Sequence, residues 1–185
     1  QWDIIWNFTK VNPQVEDLGS SIDEIVLSGF TTRGNFAIAG EPTYVIKGSA
    51  SLKDTNGNRI VSSAGQYLTD PNLQILGNPN PDFTTTLINS FSFKGISLSF
   101  QFDYRHGGAM YNSTASALIG RGVSTDAASF DHDDTFILPG VRDSGERDDQ
   151  GNVIYVPNDI QITASDYGFN TQFFADEVGI FDGTT

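Results

Sequence analysis

The chain has 185 residues with 23 acidic against 10 basic side chains, a net charge of -13, which argues against a nucleic-acid binder because phosphate contacts need clustered cations. Hydrophobic residues make up 38% and aromatics 12%, with 14 Phe, so the composition is that of a chain with apolar surface to bury rather than of a disordered one. There is no Cys, which excludes disulfides, thiolate metal sites and cysteine nucleophiles, and no run approaches the ~18 apolar residues of a transmembrane helix, which leaves strands as the only means of crossing a membrane.

Trp2 begins an alternating segment at once, without the features of a leader, and the chain stops at Gly183, Thr184 and Thr185 without a tail-like composition. The expectation is a piece of a longer polypeptide. In the first segment Trp2, Ile4, Trp6 and Phe8 share one face and Asp3, Asn7 and Thr9 the other, with Ile5 as the exception, a period-two pattern that predicts a strand. A helical period is almost absent, beyond one turn expected near Asp17 to Ile25. Short strands are expected at Tyr44 to Leu52, paired with Arg59 to Ser62 across the Asp54 to Asn58 turn.

Next comes Phe83 to Phe93, with Phe83, Leu87, Phe91 and Phe93 on one face and Thr84, Thr86, Ser90 and Ser92 on the other. The cleanest alternation follows: Ile96, Leu98, Phe100, Phe102 and Tyr104 against Ser97, Ser99, Gln101, Asp103 and Arg105. Its length matches the roughly 9 to 11 residues of a tilted membrane strand. Only Lys94 and Gly95 separate the two segments, a two-residue hairpin loop that sets Phe93 opposite Ile96 and puts both apolar faces on the same side. Asp103 and Arg105, two apart on the polar face, are expected to neutralise each other. From His106 to Thr185 no long segment alternates, although turns at Ser144 to Glu146 and Asp148 to Asn152 leave room for a strand at Asn152 to Val156.

The class is therefore all-β with antiparallel strands. What covers the Phe100 and Phe102 face decides the function, and periodicity leaves two answers open. One is a second sheet, as in a secreted β-sandwich that binds carbohydrate; the other is lipid, as in a transmembrane β-barrel with long outward loops and short inward turns. Asn89 falls on the apolar face, where lipid penalises an amide without a partner.

The run Gly77-Asn78-Pro79-Asn80-Pro81-Asp82-Phe83, the Phe93-Lys94-Gly95 turn, the exit through Phe102 to Arg105 and Gly107-Gly108, and the long segment after it resemble the late barrel region of SusC/RagA-like TonB-dependent outer-membrane transporters. Further matching pieces are Gly40-Glu41-Pro42 with Tyr44 to Gly48, Phe136 to Val141, and Gly179 to Asp182. His106 and Thr43 depart from the pattern. The resemblance spans about Trp2 to Asp182. It implies that the chain is part of the C-terminal half of a barrel (spanning strands about 2–10, 82–93 and 96–105; outward loops about 11–81 and 106–185) in the cell outer membrane.

Further implications concern function and partners. The resemblance implies import of oligosaccharides or peptides together with a SusD-like surface lipoprotein, powered by the TonB complex through an N-terminal region that this chain lacks. Trp2, Ile4, Trp6, Ile96, Leu98, Phe100, Phe102 and Tyr104 would face lipid, and Ser97, Ser99, Gln101, Asp103 and Arg105 the lumen. Tyr111, Tyr155 and Tyr167, with Phe130 and Phe169, are outward-loop aromatics that would stack on sugar rings, or pack loop against loop or against the partner.

No enzymatic chemistry is expected. Asp131-His132-Asp133-Asp134 reads as a solvated acidic loop, since neighbours in a loop seldom converge on one ion. The Asp54 and Asp148 turns lack the calcium-loop spacing, no pair of carboxylates stands in an apolar setting that raises one pKa, and no nucleophile elbow, phosphate loop or dinucleotide fingerprint occurs. No catalytic residue, metal or cofactor is therefore assigned.

Overall fold

The computed structural model describes residues 1–19, 21–121, 123, 125, 131, 133–163 and 176–185. Over these the protein is all-β, with strands β1 (Trp2–Thr9), β2 (Glu24–Phe30), β3 (Arg33–Ile38), β4 (Val45–Gly48), β5 (Ile60–Val61), β6 (Gln74–Gly77), β7 (Phe83–Phe93) and β8 (Ile96–His106). After these come β9 (Ala109–Tyr111), an α-helix α1 (Ser113–Gly120), β10 (Thr135–Ile137), β11 (Val141–Arg147), β12 (Val153–Pro157), β13 (Gln161–Thr163), a 3-10 helix (Asp176–Gly179) and β14 (Ile180–Asp182). The chain forms two compact units: residues 1–46, 77–110 and 181–185 make the first, and residues 47–76 and 111–180 the second.

The first unit is dominated by an antiparallel sheet in the order β1-β7-β8. Its hairpin pairs Phe93 with Ile96, Phe91 with Leu98, Leu87 with Phe102 and Thr84 with Arg105, the register dictated by a two-residue loop. Lys94 and Gly95 both take positive φ, 45° and 84°, as a type I′ turn requires. On the other side of β7, Trp2 lies opposite Phe91, Trp6 opposite Leu87 and Phe8 opposite Thr85. Ile5, the exception to the alternation of β1, meets Ile88 across the ladder, so one apolar pair sits inside the polar face. The 73 residues between β1 and β7 form an excursion that leaves and returns at one end of the sheet. Arg105 and Thr185 exchange backbone hydrogen bonds of 3.0 Å and Gly183 donates to Gly108 at 2.7 Å, so residues 183–185 come back beside β8 at that same end.

Two readings are refined here. Near Asp17 to Ile25 the described residues make a single turn, in which the Ile22 N–H donates to the Gly19 carbonyl at 3.2 Å, and no helix; Glu24 then opens β2, which pairs with β3 through a two-residue loop from Phe30 to Arg33. The pattern concealed it because a register shift between Val26 and Ser28 breaks the alternation. A helix does form at Ser113–Gly120, started by Asn112, whose side chain accepts the Ala115 backbone N–H at 2.9 Å. With eight residues and no apolar stripe it leaves no periodic trace.

The second unit has a small core. Val61, Tyr67, Leu138 and Ile162 are buried together, with Phe136 packed against them. Residues from both segments of this unit are needed: β10 and β13 bring Phe136 opposite Ile162, while β5 runs parallel to β11 and sets Val61 beside Arg142. Gly65, at φ 81°, turns the chain where a Cβ would press into Ile162 and lie 3.1 Å from Ile160. β11 and β12 form the hairpin expected around Asn152 to Val156. Its turn repeats the Asp54 turn group for group. Asp148 accepts the backbone N–H of Gln150 and Asn152 and the Asn152 amide, as Asp54 accepts those of Asn56, Asn58 and the Asn58 amide. Of the expected pairing of Tyr44 to Leu52 with Arg59 to Ser62 only the turn end forms, through an Ile60-to-Leu52 backbone bond of 2.9 Å and a Lys53 to Arg59 bridge; β4 belongs to a different sheet, and the strand partner of β5 is β11.

Candidate functional site

Alternation places every second side chain of β1, β7 and β8 on one side of the sheet. One face carries Trp2, Ile4, Trp6, Phe8, Leu87, Phe91, Phe93, Ile96, Leu98, Phe100, Phe102 and Tyr104. All of these are exposed, Trp6 by 68% and Phe102 by 62%, and of the three strands only Asn89 is buried, at 7%. Aromatic pairs run across the face, with Trp2 stacked on Phe91 at 5.5 Å, Phe8 on Phe83 at 5.4 Å and Phe91 on Phe100 at 6.0 Å. A strand of this length, at ~3.4 Å per residue and tilted ~45°, rises about 25 Å, the height of a barrel's apolar band.

Two polar side chains of β7 interrupt that face, and each accepts an indole hydrogen bond from β1. The Trp6 indole donates to the Thr85 hydroxyl at 2.7 Å, and Thr85 in turn donates to the Asn7 carbonyl at 2.9 Å. The Trp2 indole donates to the Asn89 side-chain carbonyl at 3.4 Å. Two indoles four residues apart thus meet two acceptors four residues apart on an antiparallel neighbour. The sequence contained this signal in the matched spacing of Trp2 and Trp6 with Thr85 and Asn89, but it is readable only once the β1–β7 register is known.

The opposite face is a hydrogen-bonded polar ladder. Ser92 meets Ser97 at 3.1 Å and Ser90 meets Ser99 at 3.0 Å, while Asp103 accepts from Thr86 and from Gln101, both at 2.7 Å. Asp103 and Arg105 do not pair as expected: among the described residues Asp103 is held by its two neutral neighbours, and Arg105 turns to the Pro79 carbonyl at 2.8 Å. The reason is local. Asn80 donates to the Thr43 carbonyl at 2.6 Å, Ala109 to the Asn78 carbonyl at 2.7 Å and Asp82 to the His106 carbonyl at 2.9 Å. The Gly77 to Phe83 run and the Gly107-Gly108 exit are thus one knot at the loop end of the sheet, and a Cβ on Gly108 would sit 2.8 Å from the Pro79 carbonyl.

The loop aromatics divide. The Tyr111 hydroxyl donates to buried Asp176 at 3.3 Å, so its polar end is engaged within the fold. Tyr155 stands opposite Asp143 on the β11–β12 hairpin and lines an open cleft of about 650 Å³ in the second unit with Arg142, Asp159 and Ser63. Tyr167, Phe130 and Phe169 lie outside the described residues, as does His132; Asp131 accepts the backbone N–H of Asp133. Among the described residues no group of three metal-ligating side chains converges.

Sequence reasoning missed the cleft's charges. Arg142 forks onto Asp159 through Nε and, at 3.1 Å, Nη2, and Arg147 forks onto Asp143 at 2.9 and 3.1 Å. The hydrogen bonds from these guanidiniums hold both carboxyls below the ordinary range, and Asp159 holds Arg142 further up. The signal available was weak, since the residues of each pair are distant in the pattern or separated by a register shift between Asp143 and Arg147.

Compared with known protein families and with characterised proteins, the chain matches none.

Proposed function

We propose that the chain is part of the barrel wall of an outer-membrane TonB-dependent transporter that imports oligosaccharides or peptides with a SusD-like surface lipoprotein. In this reading β1, β7 and β8 cross the bilayer with Trp2, Ile4, Trp6, Ile96, Leu98, Phe100, Phe102 and Tyr104 against lipid, and Ser97, Ser99, Gln101, Asp103 and Arg105 toward the water-filled lumen. The segments 11–81 and 106–185 are the outward loops, where the transporter meets solute and partner.

One observation carries the reading. Among the described residues the apolar face of the β1-β7-β8 sheet is exposed, and two polar side chains on it, Thr85 and Asn89, each accept an indole hydrogen bond from within the sheet. Hydrocarbon demands this internal satisfaction, whereas water would supply partners to any exposed hydroxyl or amide. An apolar face this large is atypical of a soluble monomer. The arrangement of connections agrees: a two-residue turn at one end of the sheet, long excursions at the other. A sandwich would need a second sheet over Phe100 and Phe102, and both are exposed.

The test compares two adjacent positions in the full-length gene product refolded into lipid vesicles. Phe100→Arg should cost about 2 to 4 kcal/mol in a urea titration, as a cation at the bilayer midplane does. Ser99→Arg, one residue away on the polar face, should fold nearly as well as the parent and alter solute passage instead. Equal tolerance of both would sink the lipid-facing assignment.

A further inference from the structure

We propose that Asn56 is a covalent modification site: it cyclises onto the backbone nitrogen of Gly57 and is converted to isoaspartate and aspartate, at a pace set by the Asp54 carboxylate that holds the turn shut. The site lies within residues 47–76 of the second unit, and it stands whether or not the β1-β7-β8 sheet meets lipid.

The reaction needs only water. The Gly57 nitrogen gives up its proton and attacks Cγ of Asn56; the new N–C bond forms as the Cγ–Nδ2 bond breaks, and ammonia leaves with the proton. Water then opens the five-membered imide at either carbonyl. One opening gives aspartate, and the other gives isoaspartate, in which the chain runs through the former side chain and is longer by one carbon. Either product adds a negative charge beside Asp54.

The sequence singles out this residue. Asn56-Gly57 is the sole Asn-Gly step in the chain, and a nitrogen whose own residue has no Cβ is the least hindered nucleophile. Asn12, Asn78 and Asn80 precede Pro, whose nitrogen has no proton to lose, and every other Asn precedes a residue with a Cβ. The fold leaves the step open: Asn56 and Gly57 are exposed, and no atom lies within 4 Å of the place of a Gly57 Cβ.

The turn is the brake. Gly57 N–H donates to the Asp54 carbonyl at 3.0 Å, so the nucleophile is engaged while the turn is closed. The Asp54 carboxylate keeps it closed by accepting the N–H of Asn56 at 2.9 Å and of Asn58 at 2.8 Å. The β11–β12 turn supplies an internal comparison, because Gly151 donates to the Asp148 carbonyl at 2.9 Å, has a φ of 85° against 83° for Gly57, and is likewise exposed. There the third residue is Gln150. Its side chain has one more rotatable bond to freeze and must close a six-membered ring, so it reacts more slowly.

Conversion has a local consequence. Lys53 and Arg59 face each other across the turn, and both reach Glu177 of the 3-10 helix, at 4.0 and 3.3 Å. A longer chain between them parts that pair and weakens the adjoining Ile60-to-Leu52 backbone bond.

The experiment ages the full chain at mildly alkaline pH and maps its peptides by mass spectrometry, with electron-driven fragmentation to tell isoaspartate from aspartate. Asn56 should be half converted, mostly to isoaspartate, while Gln150 and the other Asn residues remain intact. Asp54→Ala should convert faster, Asp54→Asn at an intermediate rate, and Asp148→Ala, which opens the twin turn, at the parental rate. The aged protein should lose hydrogen-exchange protection at the Ile60 amide, and Asn56→Gln should keep it. The proposal is overturned if Asn56 reacts no faster than Gln150 or if another Asn reacts first. The role of Asp54 is overturned if neither of its variants converts faster than the parent, or if Asp148→Ala accelerates Asn56 as much as Asp54→Ala does. Unchanged protection at Ile60 in fully converted protein would overturn the local consequence.

Discussion

Leu98 and Phe102 on β8 stand exposed, whereas Val61, Tyr67, Leu138 and Ile162 in the second unit are closed off from solvent, Val61 to 2%. The two regions use apolar residues in opposite ways. In the second unit, side chains drawn from distant segments converge on one another, and folding in water is their own doing. In the sheet, the alternation is far cleaner, yet among the described residues the apolar side chains touch one another only along the face and stay exposed. A perfect period-two pattern therefore reports a surface with two different surroundings, not a core. The imperfect pattern of the second unit reports a core assembled from short pieces.

The largest expected contrast comes from trimming one Leu in each region. Leu138→Ala removes a buried side chain beside Val61 and Ile162 and should destabilise the second unit by about 2 to 5 kcal/mol. Leu98→Ala removes an exposed one, and in detergent-free water should change the stability of the first unit by no more than roughly 0.5 kcal/mol. Amide hydrogen exchange reads both units in one sample. Equal protection losses in the two variants would show that Leu98 is covered after all and would break the comparison.

A subtler contrast lies in the polar groups of the apolar face. Trp2→Phe leaves the buried Asn89 carbonyl without its indole donor, which in lipid should cost about 1 to 3 kcal/mol. Adding Asn89→Leu removes the orphaned amide, and the double variant should recover most of that loss, because replacing both partners by apolar groups is nearly neutral. The cycle is run by urea titration in vesicles. If Asn89→Leu failed to rescue Trp2→Phe, the indole would be acting through packing on Phe91 rather than through its N–H.

How much of this was legible follows from the same contrast. The β7–β8 register could be read because a two-residue loop joins two strands whose faces agree, so a single slip would mismatch all of them. The β1–β7 register could not, since 73 residues separate the strands and local pattern carries no information across such a gap. With it went the pairing of Trp2 and Trp6 with Asn89 and Thr85. The β2–β3 hairpin was hidden by its register shift, and α1 by its brevity. Arg142 with Asp159 and Arg147 with Asp143 were invisible for another reason: ion pairing depends on side-chain direction at a bulged hairpin, which alternation does not encode. Arg105 illustrates the converse. Sequence spacing put it near Asp103, but the knot of Asn78, Pro79 and Asn80 offered it a backbone carbonyl instead.

The smallest expected effect separates the two hairpin turns by acid. At the β11–β12 turn the Asn152 amide, followed by the backbone N–H groups of Asn152 and Gln150, binds the charged form of Asp148 and lowers its pKa from the model-peptide 3.8. Because the folded value is the lower one, this contribution to stability is complete above the unfolded pKa and is lost as the pH falls through the folded pKa. The Asp54 turn, lowered mainly by Asn58, behaves in the same sense. At the β7–β8 tip Lys94 and Gly95 make the turn with no carboxylate, so acid has no group there to protonate. NMR titration should place the Asp148 carboxyl midpoint below 3.8, with the Asn152 amide resonance moving in step. The Gly95 amide should stay still across that window. In Asp148→Asn the Asn152 movement should vanish while the Asp54 turn still titrates. A midpoint at or above the ordinary value, or a Gly95 amide that shifts with it, would mean that the turns are not held as their hydrogen bonds indicate.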